Sequence, residues 1–299
     1  MHIPDGFLST PVWATLDAVA APAAAVVIRR AQRTFDLARV PALGVMGAFV
    51  FAAQMINFPV GAGTSSHLVG GTLLACTLGP APASVVMIAI LTIQSLVFQD
   101  GGVLALGANV LNMAVIGVLA GYLPFYLWGA GPRRKFAIFA GGTLSVLVSA
   151  ILALSELLVS GVPMPRAALV LSMGVFAVSA ILEGAITLAV VQGLDAIQPN
   201  FVRIPAAGRS PALGMLGLVA VLLGAVGVLF ASTAPDGIER LTRYEAASAA
   251  APWLSKAGAG LGGLALIYAA CLGIGRLVAR PTPAGVGQAG WGPRRRGSA

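Results

Sequence analysis

The stretch FAIFAGGTLSVLVSAILALSELL, residues 136–158, decides the fold class. It carries one charge, Glu156, and as a helix it is long enough to cross about 30 Å of hydrocarbon. Working outward in both directions, apolar stretches recur at about 11–28, 40–56, 67–78, 83–98, 111–128, 167–191, 212–231 and 257–275, separated by short Gly-, Pro- and Arg-bearing segments. A chain of 299 residues that is 58% hydrophobic and 9% charged is no ordinary soluble globule. Its mean hydropathy of +0.92 agrees. The two-residue alternation of a membrane β-barrel is absent, so the expected fold is all-α: a polytopic bundle of about nine transmembrane helices with irregular outer loops.

The net charge of +8 reports topology, not nucleic-acid binding, because the basic residues sit in small clusters between apolar runs. With the N-terminus outside, 14 of the 18 Lys and Arg fall on the cytoplasmic side: Arg29, Arg30, Arg33, Arg39, Arg133, Arg134, Lys135, Arg203, Arg209, Arg276, Arg280 and Arg294 to Arg296. Only Arg166, Arg240, Arg243 and Lys256 fall outside. The positive-inside rule therefore predicts a multi-pass protein of the cell inner membrane with a cytoplasmic C-terminus. Trp13, Trp128 and Trp253 lie near predicted helix ends, as interfacial anchors should. The opening MHIPDGFLSTPVW lacks the basic start of a secretory leader, so Met1 is expected to be retained.

Two outer segments break the helical pattern. NFPVGAGTSSH (57–67) and QDGGVLALGAN (99–109) are rich in Gly, and such backbone cannot face lipid unpaired, so both are expected to be buried in protein or to line a cavity. A polar, Pro-containing linker at 193–211 separates a first domain, 1–192, from a two-helix unit, 212–275. A basic tail, 276–299, follows and is expected to be disordered.

Several chemistries are excluded or weak. Lys135 precedes Phe136 and Lys256 precedes Ala257, so no G-K-[ST] phosphate loop exists. Two histidines in the whole chain rule out a helical His-pair metalloprotease. Cys76 and Cys271 lie inside apolar runs and read as core. Ser65 and Ser66 adjoin His67, which leaves a membrane hydrolase as a weak rival. Asp17, Glu156 and Glu183 are intramembrane carboxylates; a proton-coupled antiporter is conceivable, and interhelical hydrogen bonding is the simpler role. Asp5 and Asp100 read either as a cation-attracting mouth or as solvated surface acids.

His2 carries the most information. A lone imidazole is more often a hydrogen-bonded structural residue than a ligand, but second in a chain with a free amine it has another use. The amine of Met1, the deprotonated amide nitrogen of His2 and its ring Nδ1 close two fused chelate rings and place three nitrogens in one plane. Such a field suits Ni(II) or Cu(II), whereas Zn(II) gains nothing from flatness. His67 is the only other imidazole available as the fourth donor. Pro4-Asp5-Gly6 is turn chemistry that would reverse the chain before the first helix. Asn57, Thr64, Ser65 and Ser66 are candidates either to hold the imidazole or to cap the loop.

MHIPDGFLS (1–9), NFPVGAGTSSHLVGG (57–71) and FQDGGVLALGANVLNMAVIG (98–117) resemble the metal-binding membrane (S) component of energy-coupling factor importers for nickel and cobalt. The two-helix unit, with APDGIE at 234–239, is similar to the small companion subunit that some members carry fused. The resemblance implies metal binding by Met1, His2 and His67, a separate transmembrane coupling (T) subunit and separate cytoplasmic ATPase subunits. It implies no resident cofactor and no reaction of the chain's own. The cobalt branch typically has Met-Glu after the opening His-Ile and Ser-Cys-Ser-His-Pro at the loop. Pro4-Asp5 and Thr64-Ser65-Ser66-His67-Leu68 instead favour Ni(II) over Co(II), although nickel-type loops usually have Gly where Ser66 stands. Affinity order alone would prefer copper, so its exclusion falls to availability or kinetics.

Overall fold

The structure is a computed structural model that describes residues 1–34, 36–61, 64–198, 202, 211–226, 238 and 253–278. Helix α1 (Thr10–Thr34) leads through a short 3-10 turn (Leu37–Arg39) to α2 (Val40–Gln54). A hairpin of β1 (Phe58–Gly61) and β2 (Thr64–Ser66) follows, then α3 (Gly71–Leu78) and α4 (Pro80–Ile93). Beyond α5 (Leu106–Asn109) come α6 (Gly117–Trp128), α7 (Arg134–Val159), α8 (Arg166–Ile197), α9 (Pro211–Ala225) and α10 (Trp253–Val278).

Among the described residues, five helical segments are long and apolar enough to cross a membrane: Thr10–Thr34, Pro80–Phe98, Leu106–Trp128, Arg134–Val159 and Arg166–Ile197. Val40–Gln54, Leu213–Ala225 and Leu261–Leu277 are shorter apolar helices. The expected span 67–78 is realised as the eight-residue α3, too short to cross alone, and it is wholly buried among its neighbours. Gly79 stops α3, and Pro80 opens α4 at the first helical position, where its missing N–H costs nothing.

Two predicted helices are not regular throughout. Gln94–Phe98 and Val110–Ile116 wind as π-helical turns on either side of the outer loop 99–105. Such widened turns shift side-chain register where a site needs it. Trp128 ends α6 and Trp253 begins α10, as anchors should.

The core runs between α2, α3, α4, α6 and α7, with Phe51, Leu73, Leu74, Met87, Ile90 and Phe125 almost wholly enclosed. Helix α1 lies at the rim, with only 6% of its apolar window buried. Helix α10 packs along α2 because glycines let the two backbones approach. A Cβ on Gly47 would sit 2.7 Å from Cys271 Sγ, and one on Gly275 would sit 2.9 Å from Val40. The intramembrane carboxylates act as interhelical ties. Asp17 accepts from Gly107 N–H at 2.7 Å, and Glu156 accepts from Asn112 Nδ2 at 2.8 Å. Glu183 accepts from the chain just after His67.

Candidate metal centre

Three segments converge at one end of the bundle: the N-terminal residues, the loop after the β-hairpin, and the loop 99–105. The N-terminus does not fray. Met1, His2 and Ile3 are buried, and Leu8 joins them in the core. The reversal expected at Pro4-Asp5-Gly6 is present, with Gly6 at φ 90°. Ile3 is paired like a strand residue, although no strand lies beside it. Its N–H donates to Asn109 Oδ1 at 2.9 Å, and its carbonyl accepts from Asn109 Nδ2 at 3.1 Å and from Gly102 N–H at 2.9 Å.

Asp5 then secures the other side of the turn. Its carboxylate accepts N–H bonds from Val103 (2.9 Å), Leu104 (2.8 Å) and Ala105 (3.3 Å), the approach to the N-terminus of α5. Asp5 therefore caps the opposing loop while itself staying open to solvent. Gly102 is required here, because a side chain would overlap Asp5, whose N lies 2.6 Å from the Cβ position.

The two histidines meet. Met1 N lies 3.0 Å from His67 Nε2, and His67 Nδ1 lies 2.9 Å from Leu68 O. The second contact requires Nδ1–H as donor, which leaves the Nε2 lone pair facing the amine. Two cis nitrogens at about 2.0–2.1 Å from a metal stand roughly 2.8–3.0 Å apart, so this pair already has the spacing of one edge of a coordination square. The imidazole rings of His2 and His67 are nearly parallel, 13° apart, with centroids at 5.4 Å. Burial, the adjacent amino group and His2 push the His67 imidazole down to about 4, against the smaller opposing effect of Asp100, so the ring is neutral and basic-lone-pair-bearing at neutral pH.

His2 Nδ1 does not point at the amine. It donates to Asp100 Oδ1 at 3.0 Å, and His2 Nε2 is buried without a partner. Chelation through Nδ1 therefore requires the ring to exchange Asp100 for the metal. Asp100 is half-exposed; partial desolvation of its carboxyl favours the neutral form, but His2, through charge and a hydrogen bond, then His67 and the amino terminus outweigh it and hold the carboxyl well below the usual carboxylate range.

Of the polar loop residues, Thr64 and Ser65 are buried in β2, while Ser66 and Asn57 are half-buried. The hairpin register pairs Phe58 with Ser66 and Pro59 with Ser65. Both ring nitrogens of His67 are engaged by Met1 and Leu68 O, which leaves no imidazole nitrogen poised to activate Ser65 or Ser66. Asn109 and Asp100 hydrogen-bond the N-terminal residues, Asp5 bonds loop 99–105, and Glu183 bonds the segment after His67. Asn109 gave no sequence signal beyond ending the Gly-rich segment 99–109. No group of three His, Cys, Asp or Glu side chains able to hold a metal occurs among the described residues. A donor set built from backbone nitrogens is of a different kind.

Comparison with known proteins identifies the family. A family profile described as "Cobalt uptake substrate-specific transmembrane region" matches residues 2–201. The chain is 37% identical over 246 residues to the "Putative fused nickel transport protein NikMN" of Archaeoglobus fulgidus, covering 78% of this chain and 77% of that one. It is 33% identical over 201 residues to the cobalt transport protein CbiM of Acetoanaerobium sticklandii, covering 64% of this chain and 82% of that one. The crystal structure of a truncated transition metal transporter superposes with a TM-score of 0.58 at 35% identity, covering 65% of this chain and 98% of that one. With a family match spanning most of its length and a membrane-type helical bundle shared with a solved transporter, the chain belongs to the cobalt-uptake substrate-specific transmembrane family.

Proposed function

We propose that this membrane protein is the metal-capturing subunit of an ATP-driven importer, with Ni(II) as its cargo and Co(II) as the second candidate. The observation that carries the reading is the buried meeting of the Met1 amine and His67 Nε2 at 3.0 Å, 66 positions apart in the chain. A free amine at Met1, the His2 amide and ring nitrogens and the His67 ring complete a planar four-nitrogen set, which favours Ni(II). Asn57, Thr64, Ser65 and Ser66 shape the hairpin that presents His67. The protein is a transport subunit and performs no reaction of its own, so hydrolysis of ATP falls to separate cytoplasmic subunits coupled through a transmembrane T subunit.

In this reading the helices make nine crossings of the cell inner membrane, with the N-terminus outside and the C-terminus cytoplasmic. Residues 1–192 form the capture domain, 193–211 a cytoplasmic linker, 212–275 the fused companion unit and 276–299 a basic tail. The nearness of α9 and α10 to α2 supports treating 212–275 as docked onto the capture domain. The preference for nickel rests on the planar nitrogen field and on Pro4-Asp5 and His67-Leu68, with Ser66 the one departure from the nickel-type loop.

The test is a version of the full chain with one extra residue before Met1, which displaces the amine from the chelate ring. Nickel titration, followed by the visible spectrum, should show loss of the planar Ni(II) band and at least a hundredfold weaker binding. Unchanged affinity and spectrum in the extended chain would overturn the donor set.

A further inference from the structure

We infer that Glu183, in the middle of α8, is a positioning residue for the metal centre: it fixes the peptide segment behind His67 and so aims the imidazole at the amine. The inference rests on the donor set proposed above and deepens it.

Glu183 is 2% exposed, and both its oxygens are taken by consecutive backbone donors, Val69 N–H at 2.7 Å and Gly70 N–H at 2.8 Å. Successive N–H groups face one side only in a bent backbone, and Gly70 supplies the bend with φ 77°. Any side chain at Gly70 would be strained and would also meet Val50 Cγ1 at 2.5 Å, so α2 closes the other side of the same segment. The carbonyl of Val69 is held as well, by Gln54 Nε2 at 2.7 Å, and Gln54 Oε1 accepts from Gln94 Nε2 at 2.8 Å. Leu68 O is occupied by the ring of His67 itself.

The backbone at Val69 and Gly70 is therefore pinned by α2 and α8, and the turn after α4 steadies Gln54. Only a carboxylate fits the place occupied by Glu183. Two converging N–H groups need two acceptors, and an amide side chain would turn its own NH2 against one of them. The link to the metal is short. His67 Nδ1–H bonds Leu68 O, so the orientation of the 68–69 peptide sets the orientation of the ring, and the ring sets where Nε2 points. A buried carboxylate with two charge-assisted bonds holds that peptide more firmly than a neutral partner would. The arrangement also explains how an acid is accommodated between the helices: both its oxygens are satisfied by peptide N–H groups of the loop.

The experiment uses the full chain with nickel as the probe. In Glu183→Gln, nickel binding should weaken at least tenfold, and the visible band should move from the wild-type position to that of His67→Ala, because the fourth nitrogen no longer closes the square. A brace that merely supports the fold would lower the melting temperature without moving the band. Amide hydrogen exchange on the unmutated chain is the second measurement: Val69 and Gly70 should exchange slowly both with and without nickel. A wild-type band and affinity within about twofold in Glu183→Gln would overturn the assignment, as would fast exchange at Val69 and Gly70 in the native chain. Should Glu183→Gln fail to fold, the exchange result decides. If extension before Met1 destroys the planar band while Glu183→Gln preserves it, only the role of Glu183 falls; if the extension leaves the band intact, the donor set itself is wrong.

Discussion

Replacing Asn109 with Leu tests whether the metal centre is built before the metal arrives. Leu keeps the branching of Asn, with bulkier methyl groups, but can neither accept the Ile3 N–H nor donate to the Ile3 carbonyl. The carbonyl keeps Gly102 N–H as a partner, so the loss is dominated by one orphaned donor on a residue that is 0% exposed. Leaving a buried N–H unsatisfied costs about 1–3 kcal/mol, which corresponds to a roughly 5- to 150-fold fall in the docked over undocked ratio of the N-terminal segment. Hydrogen exchange of the segment 1–8 in the metal-free protein should accelerate by that factor, because exchange reports the open population directly. Nickel affinity should fall only to the extent that the undocked form becomes the majority, since apparent affinity scales with the competent fraction. Exchange within about twofold of wild type in a folded Asn109→Leu protein would refute the claim that this side chain holds the terminus down.

The remaining predictions follow from burial and packing. His67 has its folded-state value pushed down to about 4 from 6.5, so between those values the unfolded chain binds a proton that the folded chain refuses. Stability should hold above about pH 6.5 and fall as pH drops toward 4, and melting curves of the metal-free protein should lose this slope in His67→Gln. On the far side of α2, Gly47→Ala should destabilise the packing of α10 by about 1–3 kcal/mol through overlap with Cys271 Sγ. Cys271→Ala in the same chain should restore most of it, and strictly additive melting temperatures would show that the two helices do not meet there.

The membrane bundle was legible because hydrocarbon thickness imposes run length directly on sequence, and α7 and α8 appear where residues 136–158 and 167–191 placed them, with longer ends. The His2–His67 pairing was legible for another reason: two imidazoles in an apolar chain leave few combinations. What escaped the sequence was tertiary. Asp5 and Asp100 look like ordinary outer acids until the N-terminus folds onto loop 99–105. Asn109 looks like the end of an irregular loop until its amide is seen to imitate a strand. Glu183 is separated from Val69 by more than a hundred positions, and no local pattern marks a carboxylate that serves a distant backbone. The π-helical turns at Gln94–Phe98 and Val110–Ile116 were likewise invisible, because a single extra residue per turn leaves the apolar run unbroken.

A donor set at a chain end faces a cost that a site within the chain avoids, since terminal residues ordinarily fray and each one fixed costs about 1–2 kcal/mol of backbone entropy. The first nine residues offset that cost in three ways. Ile3 and Leu8 bury their side chains, Ile3 satisfies its backbone on Asn109 and Gly102, and Asp5 caps three N–H groups of the opposing loop. None of these contacts uses an atom of the proposed donor set, so docking of the terminus does not compete with the chelation proposed for it. With the proposed donor set, an arriving metal finds the amine and His67 Nε2 already side by side and has to displace the ammonium proton, win His2 from Asp100 and displace the amide proton. Discrimination among divalent ions is thereby concentrated in that final step, where the gain from a strongly planar field differs most between nickel and zinc.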